Sequence, residues 1–102
     1  MATPYEVPSV LDEVREGEWS TERAGAYEAA VEAINHAVGA YSALIESAKS
    51  SGADAARVRE LIEGRKNCAR DRELLKPEDA EAVAEARRRY TALVRRLKDM
   101  DA

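Results

Sequence analysis

At 102 residues, 45% apolar and with a formal charge of −4, the chain is sized for one domain with a modest core, and it lacks the run of about 18 apolar residues that a membrane span needs. A lone cysteine, Cys68, excludes an internal disulfide, and the opening residues hold neither a basic start nor a signal-length apolar stretch, so the expected setting is the cytoplasm. Phenylalanine is absent, which predicts an aliphatic, alanine-rich core, and sparse glycine, only three prolines and no stretch alternating apolar with polar over strand length argue against a sheet and for an all-α chain; the Ala, Arg and Glu bias fits a GC-rich bacterial genome.

Residues 1–8 carry Pro4 and no periodicity and are expected to form a loose arm. Ser9 is placed to cap a short helix bearing Val10, Leu11 and Val14, with Gly17 as its stop. Trp19, just before the good N-cap Ser20, is a candidate hydrophobic staple onto the next helix. That second helix is predicted from about Thr21 to Ala48, roughly 40 Å at 1.5 Å per residue. Its seam is Tyr27, Val31, Ile34, Val38, Tyr41, Ile45 and Ala48, on alternating three- and four-residue steps. Alanines on both sides, from Ala26 to Ala43, widen its apolar arc, so it should touch two neighbours. Gly25 and Gly39 suggest points of close backbone approach.

Asp54 is the natural N-cap of the third helix, which carries Val58, Leu61, Ile62, Cys68, Leu74 and Leu75. Two of its seam positions hold arginine, Arg65 and Arg72, with Gly64 beside the first. The fourth helix is predicted to open at Pro77, with Glu78, Asp79 and Glu81 in its first turns and Arg95, Arg96 and Lys98 at its end, the order the helix dipole favours. Its seam is Val83, Ala86, Tyr90, Leu93, Leu97 and Met100. The fold class is therefore all-α: one domain over residues 9–102, a coiled-coil-like bundle of three long helices plus a short N-terminal one. Pro77 leaves open whether the last two helices form a hairpin or run nearly in line.

Each candidate site has a structural counterpart. Arg65 and Arg72, seven residues apart on one face, are placed to clamp a carboxylate or phosphate, with Asn67, Tyr41 or Asn35 as further donors; alternatively they bury their stems and pair with acids of the second helix such as Glu32 or Glu46. His36 follows Glu32 by four residues, yet three or four converging ligands are not in evidence, so no metal is expected. Cys68 has cationic neighbours but no histidine near it in sequence, and a buried, inert thiol is the expectation. Arg88 and Arg95 share a face of the fourth helix where phosphates could align, but Tyr90 beside them lies on the seam.

Residues 1–52 hold nine acidic and three basic side chains and residues 53–102 eleven and thirteen, giving −6 and +2. This separation guides either intrachain packing or an antiparallel dimer in which one chain's second helix meets the other's fourth. The expected function is a small, non-enzymatic helical interaction or adaptor module without a cofactor. It would self-associate, a dimer first, through the excess arc at Ala30, Ala33, Ala37, Ala40 and Leu44, or bind another protein. The alternatives are a ligand-sensing bundle that binds a small anionic metabolite or nucleotide at Arg65 and Arg72, and nucleic-acid binding through Arg88 and Arg95.

Overall fold

The computed structural model describes the backbone of residues 6–101 and the side chains of residues 21–101. Over that span the chain folds as three helices, α1 Glu6–Ser50, α2 Ala55–Leu74 and α3 Ala80–Asp101, with no strand among the described residues. None of these helices is long and apolar enough to cross a membrane.

α1 runs unbroken for 45 residues, so Gly17 is not a stop and Ser20 does not begin a new helix. One glycine in a helix interior costs about 1 kcal/mol relative to alanine and does not end a helix whose flanks favour it. Pro8 falls in the first turn, where its missing N–H forfeits no intrahelical bond. Part of the expected loose arm, and the side chain of Trp19, lie outside the described residues. The helix stops instead at Gly52, the sole described residue with positive φ (75°). There the Ala53 N–H reaches the Ala48 carbonyl (2.9 Å) and the Gly52 N–H that of Lys49 (3.3 Å), the paired bonds of a Schellman motif.

Asp54 then caps α2 as expected, its Oδ1 accepting from the Arg57 N–H at 2.8 Å. α2 closes at Leu75, in extended conformation. The start of α3 differs from the prediction. Pro77 sits second in a turn closed by the Asp79 N–H on the Lys76 carbonyl (3.1 Å), and α3 begins only at Ala80, capped by Asp79 through the Ala82 N–H at 3.0 Å. This turn makes α2 and α3 a hairpin: Asp71 meets Tyr90, and Leu61 shares a cluster with Leu97. α2 runs antiparallel to α1, with Arg72 opposite Asn35 and Arg65 opposite Ser42, and α3 therefore runs parallel to α1.

The seams predicted on α1 and α3 form the core. Ile34, Ile45, Val83, Ala86, Tyr90 and Leu97 are buried, while Met100 at the end of the α3 seam is half exposed. The centre of the α1 arc lies to one side of its predicted seam, on Ala30, Ala33, Ala37 and Leu44, because α2 and α3 flank this line. These residues, proposed from sequence as a surface for a second copy, are thus buried inside the chain, and Ala40 is half-buried against the Leu44–Leu61 cluster. Gly25 and Gly39, expected to mark close approach, have nothing within 4 Å of where a Cβ would stand. Gly64 is the tight position, where a Cβ would come 2.5–2.7 Å from the Tyr41 ring and hydroxyl.

α2 and α3 each pack along α1, but their backbones do not approach one another. Because α1 is about twice their length, the molecule is a rod of 75 × 23 × 21 Å, and among the described residues the packing clusters begin at Tyr27 of α1.

Candidate functional site

Arg65 and Arg72 lie on the α1 side of α2. Arg65 donates from Nη1 to Ser42 Oγ at 3.0 Å, and Arg72 donates to Asn35 Oδ1. They cross-brace α1 and α2 as the structural reading held, but through neutral oxygens rather than Glu32 or Glu46. Neither lines a groove with the other two residues proposed for the same site, Tyr41 and Asn67.

Tyr41 and Asn67 instead line a fissure between α2 and α3. Its inner chamber, about 650 Å³, takes in Tyr41, Gly64, Asn67, Leu93, Arg89 and Arg96. An adjoining chamber of about 590 Å³ shares five of these and extends to Arg57, Glu60 and Met100. Such volumes suit a small organic ligand. At one end Tyr90 donates its hydroxyl to Asp71, and Arg89 stands 3.5 Å from the same carboxylate and 5.5 Å from the Tyr90 ring centroid. Burial, reinforced by that bond, holds the Tyr90 phenol well above its ordinary range. Burial also raises the Tyr41 phenol, against the pull of Arg96 and Arg57.

Cys68 forms part of the chamber wall but is buried, and burial, with Asp71 nearby, pushes its thiol up, the condition of an unreactive cysteine. His36 is exposed on α1, 3.9 Å from Glu32, and no hydrogen bond joins it to Cys68. Among the described residues no three metal-ligating side chains converge.

A second concavity, about 600 Å³, runs along the outer face of α3 and ends against α1. Its floor is Ala26, Ala80, Ala84 and Ala92, and its rim carries Arg23, Arg87, Arg88 and Arg95, with no carboxylate in the lining. Arg88 and Arg95, singled out in the sequence as a phosphate-tracking pair, do share this face; Arg88 is held by Glu85 at 2.7 Å. From Ala80 to Arg95 the trough is about 23 Å long at 1.5 Å per residue.

Two features escaped sequence reasoning. Arg89 and Arg96 are also seven residues apart, and each immediately precedes a seam residue, Tyr90 and Leu97; that spacing was the available signal for the fissure. The trough needed knowledge of which α3 face α1 leaves open. Over the described residues the fold defines an all-helical, three-helix protein. No family model, curated protein or solved structure matches the chain.

Proposed function

We propose that the chain is a cytoplasmic, non-enzymatic helical interaction module that self-associates as an antiparallel dimer, each copy laying the N-terminal third of α1 into the partner's α3 trough. The observation that carries this reading is the complementarity between trough and segment. Residues 6–20 bring five carboxylates (Glu6, Asp12, Glu13, Glu16, Glu18) against one arginine, with Val10, Leu11 and Val14 at helical spacing. The trough carries Arg87, Arg88 and Arg95 along α3 around an alanine floor, Arg88 being already paired with Glu85. The lengths agree as well, since fifteen helical residues span about 22 Å. A two-fold axis near Arg23 sets the two α1 helices antiparallel and makes both contacts at once, which closes the assembly at two copies. An apolar floor favours this occupant over a phosphate backbone, which would leave the alanines uncovered.

Sedimentation velocity at low salt tests the reading. Twice the 11.2 kDa chain mass is expected, with the monomer recovered in Arg87→Glu/Arg95→Glu at unchanged helical content by circular dichroism and favoured at about 0.5 M salt, where screening shortens the reach of these charges. A wild-type monomer at all concentrations overturns it. So does a dimer indifferent to the double charge reversal.

A further inference from the structure

We infer that the fissure between α2 and α3 is a binding site for a small organic anion with a flat apolar body, its phosphate or carboxylate held by Arg96 and Asn67 and its body resting on Tyr41 and Leu93. The fissure borders the α3 trough at Ala92 and Arg95, but the residues assigned to hold the ligand, Arg96, Asn67, Tyr41 and Leu93, do not line the trough.

Four observations converge on it. First, the cavity exists because the backbones of α2 and α3 stay apart, and its two chambers share Tyr41, Gly64, Asn67, Leu93 and Arg96, so they form one continuous space. Second, the inner chamber is electropositive. Arg89, Arg95 and Arg96 line it with one carboxylate, Asp71, which already receives the Tyr90 hydroxyl and faces Arg89. The acids of the outer chamber are Glu60 and Glu63, and Glu60 is engaged by Arg57 at 3.7 Å.

Third, donors at the inner chamber are unspent. Among the described residues Arg96 makes no hydrogen bond or ion pair, Asn67 uses only its Oδ1, as acceptor from Arg70 at 3.3 Å, and the Tyr41 hydroxyl bonds to no protein group. A guanidinium, an amide N–H and a phenol O–H at one cavity are all donors, and the complement of an all-donor set is an anionic oxygen group. Fourth, Gly64 lets the Tyr41 ring lie against α2. Any side chain there would meet the ring at 2.5–2.7 Å, so this glycine, in a helix interior where glycine is unfavourable, sets an aromatic surface into the cavity. Tyr41 and Leu93 then supply the apolar contact that an inorganic anion would not use.

The test is a titration of isotope-labelled protein with phenyl phosphate, followed through the backbone amides of Gly64 and Asn67 and the Arg96 Nε–H. In parallel arms benzoate probes the carboxylate alternative and inorganic phosphate probes the need for a body. Saturable shifts at these three residues with phenyl phosphate or benzoate are expected, with inorganic phosphate weaker. Arg96→Gln should weaken binding by about tenfold or more, the usual consequence of losing a charged hydrogen-bond donor, while leaving the melting temperature unchanged because Arg96 is exposed. Asn67→Ala should weaken it less, and Arg72→Gln, on the opposite side of α2, not at all. The inference is overturned by absent shifts with both organic probes, by equal affinity for inorganic phosphate, or by binding that survives Arg96→Gln. Loss of binding in Arg72→Gln with retention in Arg96→Gln would return the site to the other face of α2.

Discussion

Among the glycines of the described residues, Gly64 is the one where substitution by alanine sets packing against helix propensity. Alanine is favoured over glycine by about 1 kcal/mol in a helix interior, and at Gly39, exposed and with nothing within 4 Å of a Cβ, that gain should appear in full. At Gly64 the new methyl would stand 2.5–2.7 Å from Cζ, Cε1 and the hydroxyl of Tyr41, which no real contact tolerates. Overpacking of this kind costs about 1–3 kcal/mol. The ring is rigid but borders an open fissure into which it can swing, which places the cost at about 2 kcal/mol within that range. Subtracting the propensity gain of about 1 kcal/mol leaves Gly64→Ala destabilised by about 1 kcal/mol, a fall of roughly 4–8 °C in Tm for a domain of this size. Gly39→Ala should rise by a similar amount. Urea denaturation of the two single variants, together with Tyr41→Ala and Tyr41→Ala/Gly64→Ala, gives the decisive cycle. With the ring removed, Gly64→Ala should become stabilising, a coupling of about 2 kcal/mol between positions 41 and 64. If Gly64→Ala raises stability as Gly39→Ala does while Tyr41 is present, the ring does not pack on α2 and the argument for the fissure wall fails with it.

Two further outcomes follow from the ends and the seam of α3. The Tyr90 phenol has a folded pKa above its ordinary value of 10.0, so its contribution is complete below about pH 10 and is lost above it, where the unfolded chain releases the proton first. Tm should therefore fall from about pH 10 upward, and fall less steeply in Tyr90→Phe; because Tyr41 is shifted the same way, some slope should remain. Asp79→Ala removes the α3 cap and should cost about 1 kcal/mol, with amide exchange accelerating first at Ala82, whose N–H loses its partner; unchanged exchange there would show that the cap is dispensable.

The sequence made the periodic parts of this fold legible because burial itself writes the period. Ile34, Ile45, Val83, Ala86, Tyr90 and Leu97 lie in the core where the three- and four-residue steps place them. Asp54 was readable for a local reason, since its cap bond reaches only three residues ahead. Gly17 and Pro77 misled for the same local reason. Each has a breaking tendency that depends on its neighbours, and Pro77 took a turn position because Asp79 offered the better cap. Residues of the candidate grooves were legible singly but not in their grouping. The sequence marks Tyr41 and Asn67 but groups them with Arg65 and Arg72, because a seven-residue spacing tells which residues share a face and not which helix that face meets. The partners they have, Arg89 and Arg96, come from a different helix with the same spacing.

That grouping also explains why α2 and α3 remain apart. Each commits its buried apolar residues to the cores built on α1: Leu61 and Cys68 from α2, Val83, Tyr90 and Leu97 from α3. What they turn toward each other is Gly64, Asn67 and Asp71 on one side and Arg89, Ala92, Leu93 and Arg96 on the other, Leu93 being the one large apolar side chain among them. Closing the gap would strip water from two guanidinium groups and an amide while burying little apolar surface, which is unfavourable unless every donor finds a partner. Asp71 is the only carboxylate in the inner chamber lining, and Tyr90 and Arg89 already hold it. The fissure therefore stays open on energetic grounds, through the composition of its walls and not through a failure of packing. The same composition, three arginines to one committed carboxylate, makes an external anion the group best able to complete it.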